Sequence, residues 1–167
     1  RYCIIIVMPS PSKTKGNSYE RQTADFLTNL YGEKFIRAPG SGAYVGGKNT
    51  HRKQMLHEGQ IRNFKGDIVP GQSFPKFNAE CKSYADFPFH QLYSGEVKIL
   101  ESWLGQLLEV ADPGDFSILI MKFNRKGTFV AVQHTDTTSL NFKLHFTYTT
   151  EKYGTWSIMD YDIFWEL

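Results

Sequence analysis

Cysteine is scarce in this 167-residue chain: Cys3 and Cys81 are the only two, and they lie far apart. They supply neither a disulfide framework nor the close pairs of a zinc site, and a reducing, cytoplasmic-type compartment is the simpler reading. Long apolar runs are missing too. Nothing approaches the stretch of about 18 apolar residues that a membrane span needs. The apolar residues 1–8 (RYCIIIVM) have neither the length nor the flanks of a secretory signal. There is no internal repeat, which excludes collagen and coiled coil. An excess of one charge is also lacking: 19 Lys and Arg face 17 Asp and Glu, a net +2 that argues weakly against a nucleic-acid partner. What is present is a chain of 41% hydrophobic and 15% aromatic residues. That excludes disorder and suffices for one domain with a real core, but not for two.

The charge is unevenly placed. Residues 13–66 carry ten Lys/Arg against four Asp/Glu, whereas residues 67–167 carry eight against thirteen. Such a chain can present one basic face while averaging near neutrality; the plainer alternative is an unevenly charged solvated surface.

Read for organisation, residues 1–12 are an N-terminal arm or a strand foreign to the natural chain, since Met8 followed by PSPSKTKG reads as a natural start. Pro, Ser, Lys and Gly over 9–16 predict a loose basic arm. Asn17, with Glu20 three residues on, has the spacing of a capping box. Tyr19, Thr23, Phe26, Leu27 and Leu30 then recur at helical spacing up to Gly32. A short strand at 33–37 leads to the turn Pro39-Gly40-Ser41-Gly42. Residues 43–66 form a long aperiodic basic loop with His51 and His57, whose spacing fits no metal pattern. Strands are predicted at 67–69, 77–82, 116–123 and 128–133, a helix at 97–110, and one or two more strands in the aromatic tail, 142–149 and 155–165. The order predicts a mixed α/β domain, a central sheet flanked by helices, with a core over 13–135 and a β-rich C-terminal extension of the same domain over 136–167.

The chemistry concentrates at Asp67, Glu80 and Lys82. Side chains alternate along a strand, so Glu80 and Lys82 share a face about 6.5 Å apart. The turn at 70–75 can bring Asp67 alongside Glu80. Two close carboxylates repel unless a cation intervenes. Mg²⁺, with Mn²⁺ as an alternative, suits one or two carboxylates plus waters, and the Cys81 carbonyl is a further oxygen candidate. With Lys82 to position or activate water, the set suits phosphodiester hydrolysis. By itself, D-x(12)-E-x-K is equally an amphipathic strand with cross-strand ion pairs.

Four blocks occur in order: Lys15-Gly16-Asn17-Ser18-Tyr19-Glu20-Arg21, Arg37-Ala38-Pro39-Gly40-Ser41-Gly42-Ala43, Gly66-Asp67-Ile68-Val69 and Glu80-Cys81-Lys82. Together they resemble the archaeal-type Holliday junction resolvases of the PD-(D/E)XK nuclease superfamily, over roughly residues 13–83. The resemblance implies a restriction-endonuclease-like fold, a catalytic and metal-ligating role for Asp67 and Glu80, and a catalytic lysine in Lys82. It implies an additional catalytic carboxylate near the metal in Glu20, which can also serve as the capping-box residue. Arg21 and Arg37 resemble phosphate-contacting positions, and Ser41 lies in a loop beside the site. Gln106 is a further candidate, because several nucleases of the superfamily carry a glutamine on the helix after the ExK strand. The sequence departs from the pattern in having Gly66 before Asp67 instead of proline, and in its long loop and tail.

The basic loop residues Lys48, Arg52, Lys53, Arg62 and Lys65, with Lys15 in the arm, are expected to track phosphates, giving salt-dependent and sequence-independent affinity. Tyr84, Phe87, Phe89 and Tyr93 read as core or subunit interface, or as a wedge into an opened junction. The function these readings predict is a metal-dependent, structure-selective endonuclease cutting four-way DNA junctions. A two-fold symmetric substrate suits a homodimer, with branched DNA as partner and neither membrane nor small-molecule cofactor. The location expected is the cytoplasm of a prokaryotic or virus-infected cell. A nicking or restriction-like endonuclease and a non-catalytic branched-DNA-binding protein are the alternatives.

Overall fold

The computed structural model describes residues 11–39, 65–137 and 144–166. Helix α1 (Pro11–Tyr31) is followed by two short antiparallel strands, β1 (Ile36–Arg37) and β2 (Ile68–Val69), which form a small sheet of their own. The main sheet contains β3 (Phe77–Tyr84), β4 (Phe116–Phe123), β5 (Gly127–Gln133), β6 (Phe146–Thr150) and β7 (Gly154–Asp160), in the order β3-β4-β5-β7-β6. Among the described strands only β3 and β4 pair in parallel, so their connection must cross over, and helix α2 (Lys98–Glu109) makes the crossing. A 3₁₀ turn at Phe89–Tyr93 and two short helices, α3 (His134–Thr137) and α4 (Tyr161–Trp165), complete the described elements.

The sheet is covered on both faces, and the sequence of β4 shows why. In Phe-Ser-Ile-Leu-Ile-Met-Lys-Phe, Ile118 and Ile120 point into a core beneath α1 and α4 with Leu27, Ala79, Val130 and Phe164. Leu119, Met121 and Phe123 point into a second core beneath α2 with Leu100, Trp103, Leu104 and Trp156. A strand buried on both sides loses polar alternation and reads as a continuous apolar run. The apolar stripe of α2 contributes on the order of 1.5–3 kcal/mol for each of Leu100, Trp103, Leu104 and Leu107. Its ends are tied to the sheet. The Val97 amide donates to Tyr148 Oη at 2.8 Å, and buried Asn78 Nδ2 donates to the Leu107 carbonyl at 3.0 Å, which satisfies groups a helix end leaves without internal partners.

The predicted helix at 97–110 and the strands at 77–82, 116–123 and 128–133 match within two residues. Three expectations need correction. Helix α1 begins at Pro11, so residues 11–16 are helical instead of a loose arm; proline is compatible with a first helical turn, and the Lys15 ammonium donates to Asn124 Oδ1 at 2.7 Å. Asn17 therefore lies inside the helix, and the capping-box reading of Glu20 falls. The strand expected over 155–165 ends at Asp160, whose carboxylate accepts from the Asp162 and Ile163 amides and starts α4. At the other end of α1, Gly32 takes φ +68° and donates to the Thr28 carbonyl at 3.0 Å, the expected stop. Residues 1–10 and 40–64 lie outside the described residues, and with them the PGSG turn and most of the basic loop. Among the described residues no helix is long and apolar enough to cross a membrane.

Candidate active site

Among the described strands β4 alone lies beside β3 in the main sheet, and the other edge of β3 receives the segment carrying Asp67. The Asp67 amide donates to the Ala79 carbonyl at 2.7 Å, its carbonyl accepts from the Ala38 amide at 2.8 Å, and its Oδ2 accepts from the Cys81 amide at 2.8 Å. The carboxylate is thus locked onto the open edge of β3. Gly66 makes this approach feasible: it takes φ +67°, and a Cβ there would stand 2.5 Å from the Ala79 carbonyl oxygen. Proline, fixed near φ −65°, is incompatible with that backbone, which accounts for Gly66-Asp67 in place of a Pro-Asp pair.

Glu80 and Lys82 share the α2 face of β3, as strand alternation requires. The Lys82 ammonium donates to Glu80 Oε1 and to Gln106 Oε1, each at 2.6 Å. Helix α2 therefore presents Gln106 to the strand lysine. Glu20 arrives from the opposite face on α1, where Arg37 Nε donates to its Oε2. Arg37 Nη2 donates to Asn17 Oδ1 at 2.8 Å. Asn17, one turn before Glu20 on the same helix, anchors the guanidinium that holds Glu20.

The electrostatics show a site short of positive charge. Burial and the neighbouring Asp67 carboxylate push Glu80 up to about 7, against the opposing pull of Lys82. Glu20 is also raised, first by burial and then by Asp67, with Arg37 opposing. Asp67 and Glu80 are both buried, and carboxylates so placed favour a cation between them. Among the described residues no group of three or more His, Cys, Asp or Glu is gathered closely enough to hold a metal ion. The donor chemistry nonetheless fits Mg²⁺, which needs only one or two carboxylates and fills its remaining positions with water. Asp67 Oδ1 and Glu80 are the carboxylate oxygens that would face such an ion. The N–H and C=O of a strand residue leave on the same side, so the Cys81 carbonyl shares the edge at which its amide meets Asp67. The Cys81 thiol is no ligand: it is buried in the apolar core under α1, and burial pushes it well above its usual range.

Residues 11–164 match the family described as "Phage putative PDDEXK endonuclease". The chain belongs to this PDDEXK endonuclease family. Neither curated proteins nor solved structures give a match. The mixed five-stranded sheet flanked by helices is the restriction-endonuclease-like arrangement of PD-(D/E)XK nucleases.

In the endonuclease, Asp67, Glu80, Cys81 and Lys82 meet at one sheet edge, with Glu20 and Gln106 brought in by the two flanking helices. Gln106 is exposed on α2, and its Oε1 accepts from Lys82. Arg21 is exposed on α1, and Lys15 reaches the turn after β4. Arg37 is committed to Glu20 and Asn17, a tie the sequence did not suggest. Lys65 is a correction. It is buried and ion-paired to Asp112, at 2.9 Å, and to the buried Asp115, so its charge serves the fold and is not offered to phosphates. Ser41, Lys48, Arg52, Lys53 and Arg62 lie outside the described residues. Arg125 and Lys126 stand exposed on the turn between β4 and β5; Lys126 pairs with Asp86. Phe87 and Phe89 pack with Phe123, as core residues do.

Proposed function

We propose that this endonuclease is metal-dependent and structure-selective, cutting phosphodiester bonds in four-way DNA junctions as a homodimer. The observation that carries the reading is the convergence of Asp67, Glu80 and Lys82 on the open edge of β3. Asp67, Glu80 and the Cys81 carbonyl would hold Mg²⁺ or Mn²⁺, with Glu20 as an additional nearby carboxylate. When bound, the ion would supply charge neutralisation at the scissile phosphate and make water more acidic. Lys82 has three N–H donors, two of them engaged by Glu80 and Gln106. The third is available to a water or a phosphate oxygen, so Gln106 and Glu80 aim the ammonium. Arg37 and Asn17 fix the rotamer of Glu20 beside this group. Arg21 and Lys15 on α1, with the basic residues of 40–64, would contact phosphates.

Junction selectivity rests on the four ordered sequence blocks, and paired incision of a two-fold symmetric junction calls for two sites related by symmetry. The family description names an endonuclease and no junction, which favours a nicking or general DNA endonuclease as the second reading. Competition between a mobile four-way junction and linear duplex of equal length, in Mg²⁺, separates the two. Preferential, paired incision of the junction is expected; equal cutting of both substrates would favour the second reading.

A further inference from the structure

The alternation that places Glu80 and Lys82 on the α2 face of β3 continues to Tyr84. Their register partners on β4 are Leu119, Met121 and Phe123, all in the core beneath α2. Helix α2 meets the last two of these side chains. Gln106 meets Lys82, and Trp103, nearly one turn earlier, meets Tyr84 with ring centroids 4.8 Å apart and planes tilted by 45°. The two rings differ in environment: Trp103 is 2% exposed and Tyr84 42%. Phe87 and Phe123 already stack on Trp103. Tyr84 is therefore braced from behind by packed aromatics while part of its surface remains in water, about 6.5 Å along the strand from Lys82. The Tyr84 carbonyl accepts from the Asn124 amide at 3.2 Å, which sets the turn bearing exposed Arg125 and Lys126 at the same end of β3.

We propose that Tyr84 is a substrate-contacting residue that stacks on a nucleobase exposed at a strand interruption next to the scissile phosphate. The proposal rests on the reading of Glu80 and Lys82 as the cleavage site. A base within continuous duplex has both faces covered by its neighbours; a free π-face exists at a branch point, a nick or a flap. A tyrosine ring held against Trp103 loses little side-chain freedom on stacking. It accepts any base, because every base offers a π-face. Tyr84 thus makes the site selective for interrupted DNA without reading sequence.

The test uses a four-way junction carrying 2-aminopurine beside the cleaved phosphate, bound in Ca²⁺ by the Asp67→Asn chain so that no cutting occurs. Tyr84 and Tyr84→Phe should quench the fluorophore. Tyr84→Leu, which keeps apolar cover over Trp103, should not, and should weaken junction binding about tenfold, a loss within the range of one aromatic–base stack. In Mg²⁺, the Tyr84→Leu chain with Asp67 intact should show the preference for junction over linear duplex, as a ratio of kcat/KM, reduced about tenfold, with the change in KM. Glu80→Gln is assayed alongside. Wild-type cutting by Glu80→Gln would overturn the cleavage-site reading and this proposal with it. An inactive Glu80→Gln, together with a Tyr84→Leu chain that quenches and discriminates like wild type, would overturn the stacking proposal alone. Should Tyr84→Leu not fold, Tyr84→Trp decides: stronger quenching than wild type supports stacking, and unchanged or weaker quenching contradicts it.

Discussion

Replacing Glu80 with glutamine removes a buried negative charge while keeping the shape of the side chain and an oxygen for Lys82. Glu80 is held at about 7 against an ordinary 4.5, by burial and by Asp67, after the favourable contribution of Lys82. The folded protein therefore keeps this proton between about pH 4.5 and 7 while the unfolded chain releases it, so stability falls across that window and the penalty is complete above about pH 7. At about 1.4 kcal/mol per pH unit, the penalty is of order 3 kcal/mol. With EDTA present, Glu80→Gln should be more stable than wild type by about that amount at pH 8, a rise in Tm of roughly 5–10 °C for a chain of this size. The difference should shrink by at least half at pH 5. Saturating Mg²⁺ should stabilise wild type, by about 2.7 kcal/mol at a hundredfold excess over Kd, and the variant less. Calorimetric scans at the two pH values, with and without metal, read all of this. A variant no more stable than wild type at pH 8, or a difference independent of pH, would refute the claim that two buried carboxylates repel at this edge.

Further expectations concern other parts of the site. Lys82→Met should lower the cleavage rate by about 10²–10⁴, the usual range for a positioned proton-transfer group, in single-turnover assays; a loss under tenfold would contradict its role. Gly66→Ala places a Cβ 2.5 Å from the Ala79 carbonyl at a positive φ, and denaturant unfolding should show a loss of about 1–3 kcal/mol or more. Lys65→Ala leaves the buried Asp115 without its cation and should cost about 3–5 kcal/mol. Assayed where the variant remains folded, the slope of log Kd against log salt should not change; a drop of about one would restore Lys65 to the DNA-contacting set.

Most of the framework was legible because its signals are local. The 3.6-residue stripe of α2, the apolar run of β4 and the turn residues between β4 and β5 each identify an element without reference to the rest of the chain. The site was legible through spacing, since alternation alone puts Glu80 and Lys82 on one face and the turn at 70–75 returns the chain beside Asp67. The misses depend on distant partners. Nothing near Lys65 in sequence announces Asp112 and Asp115, so five cations in one loop looked equivalent until one proved buried. The start of α1 was misjudged because Pro11 and Gly16 read as breakers, whereas proline belongs in a first turn and contacts from Lys15 and Asn17 hold the added turns to β1 and the turn after β4. Arg37 pairs with Glu20 across seventeen residues, a tie no local pattern encodes. The aromatics from Tyr84 to Tyr93 were recognised as a set, but no local pattern says that Phe87 is buried while Tyr84 and Tyr93 face water.

The central claim is that the carboxylates at the open edge of β3 perform metal-dependent DNA cleavage, and incision of a mobile four-way junction by Asp67→Asn tests it most directly. In Mg²⁺ the wild-type chain should nick opposing strands in pairs while Asp67→Asn cuts nothing measurable, and in Ca²⁺ both should bind the junction with Kd values within a few-fold. Cutting by Asp67→Asn at the wild-type rate would contradict the account.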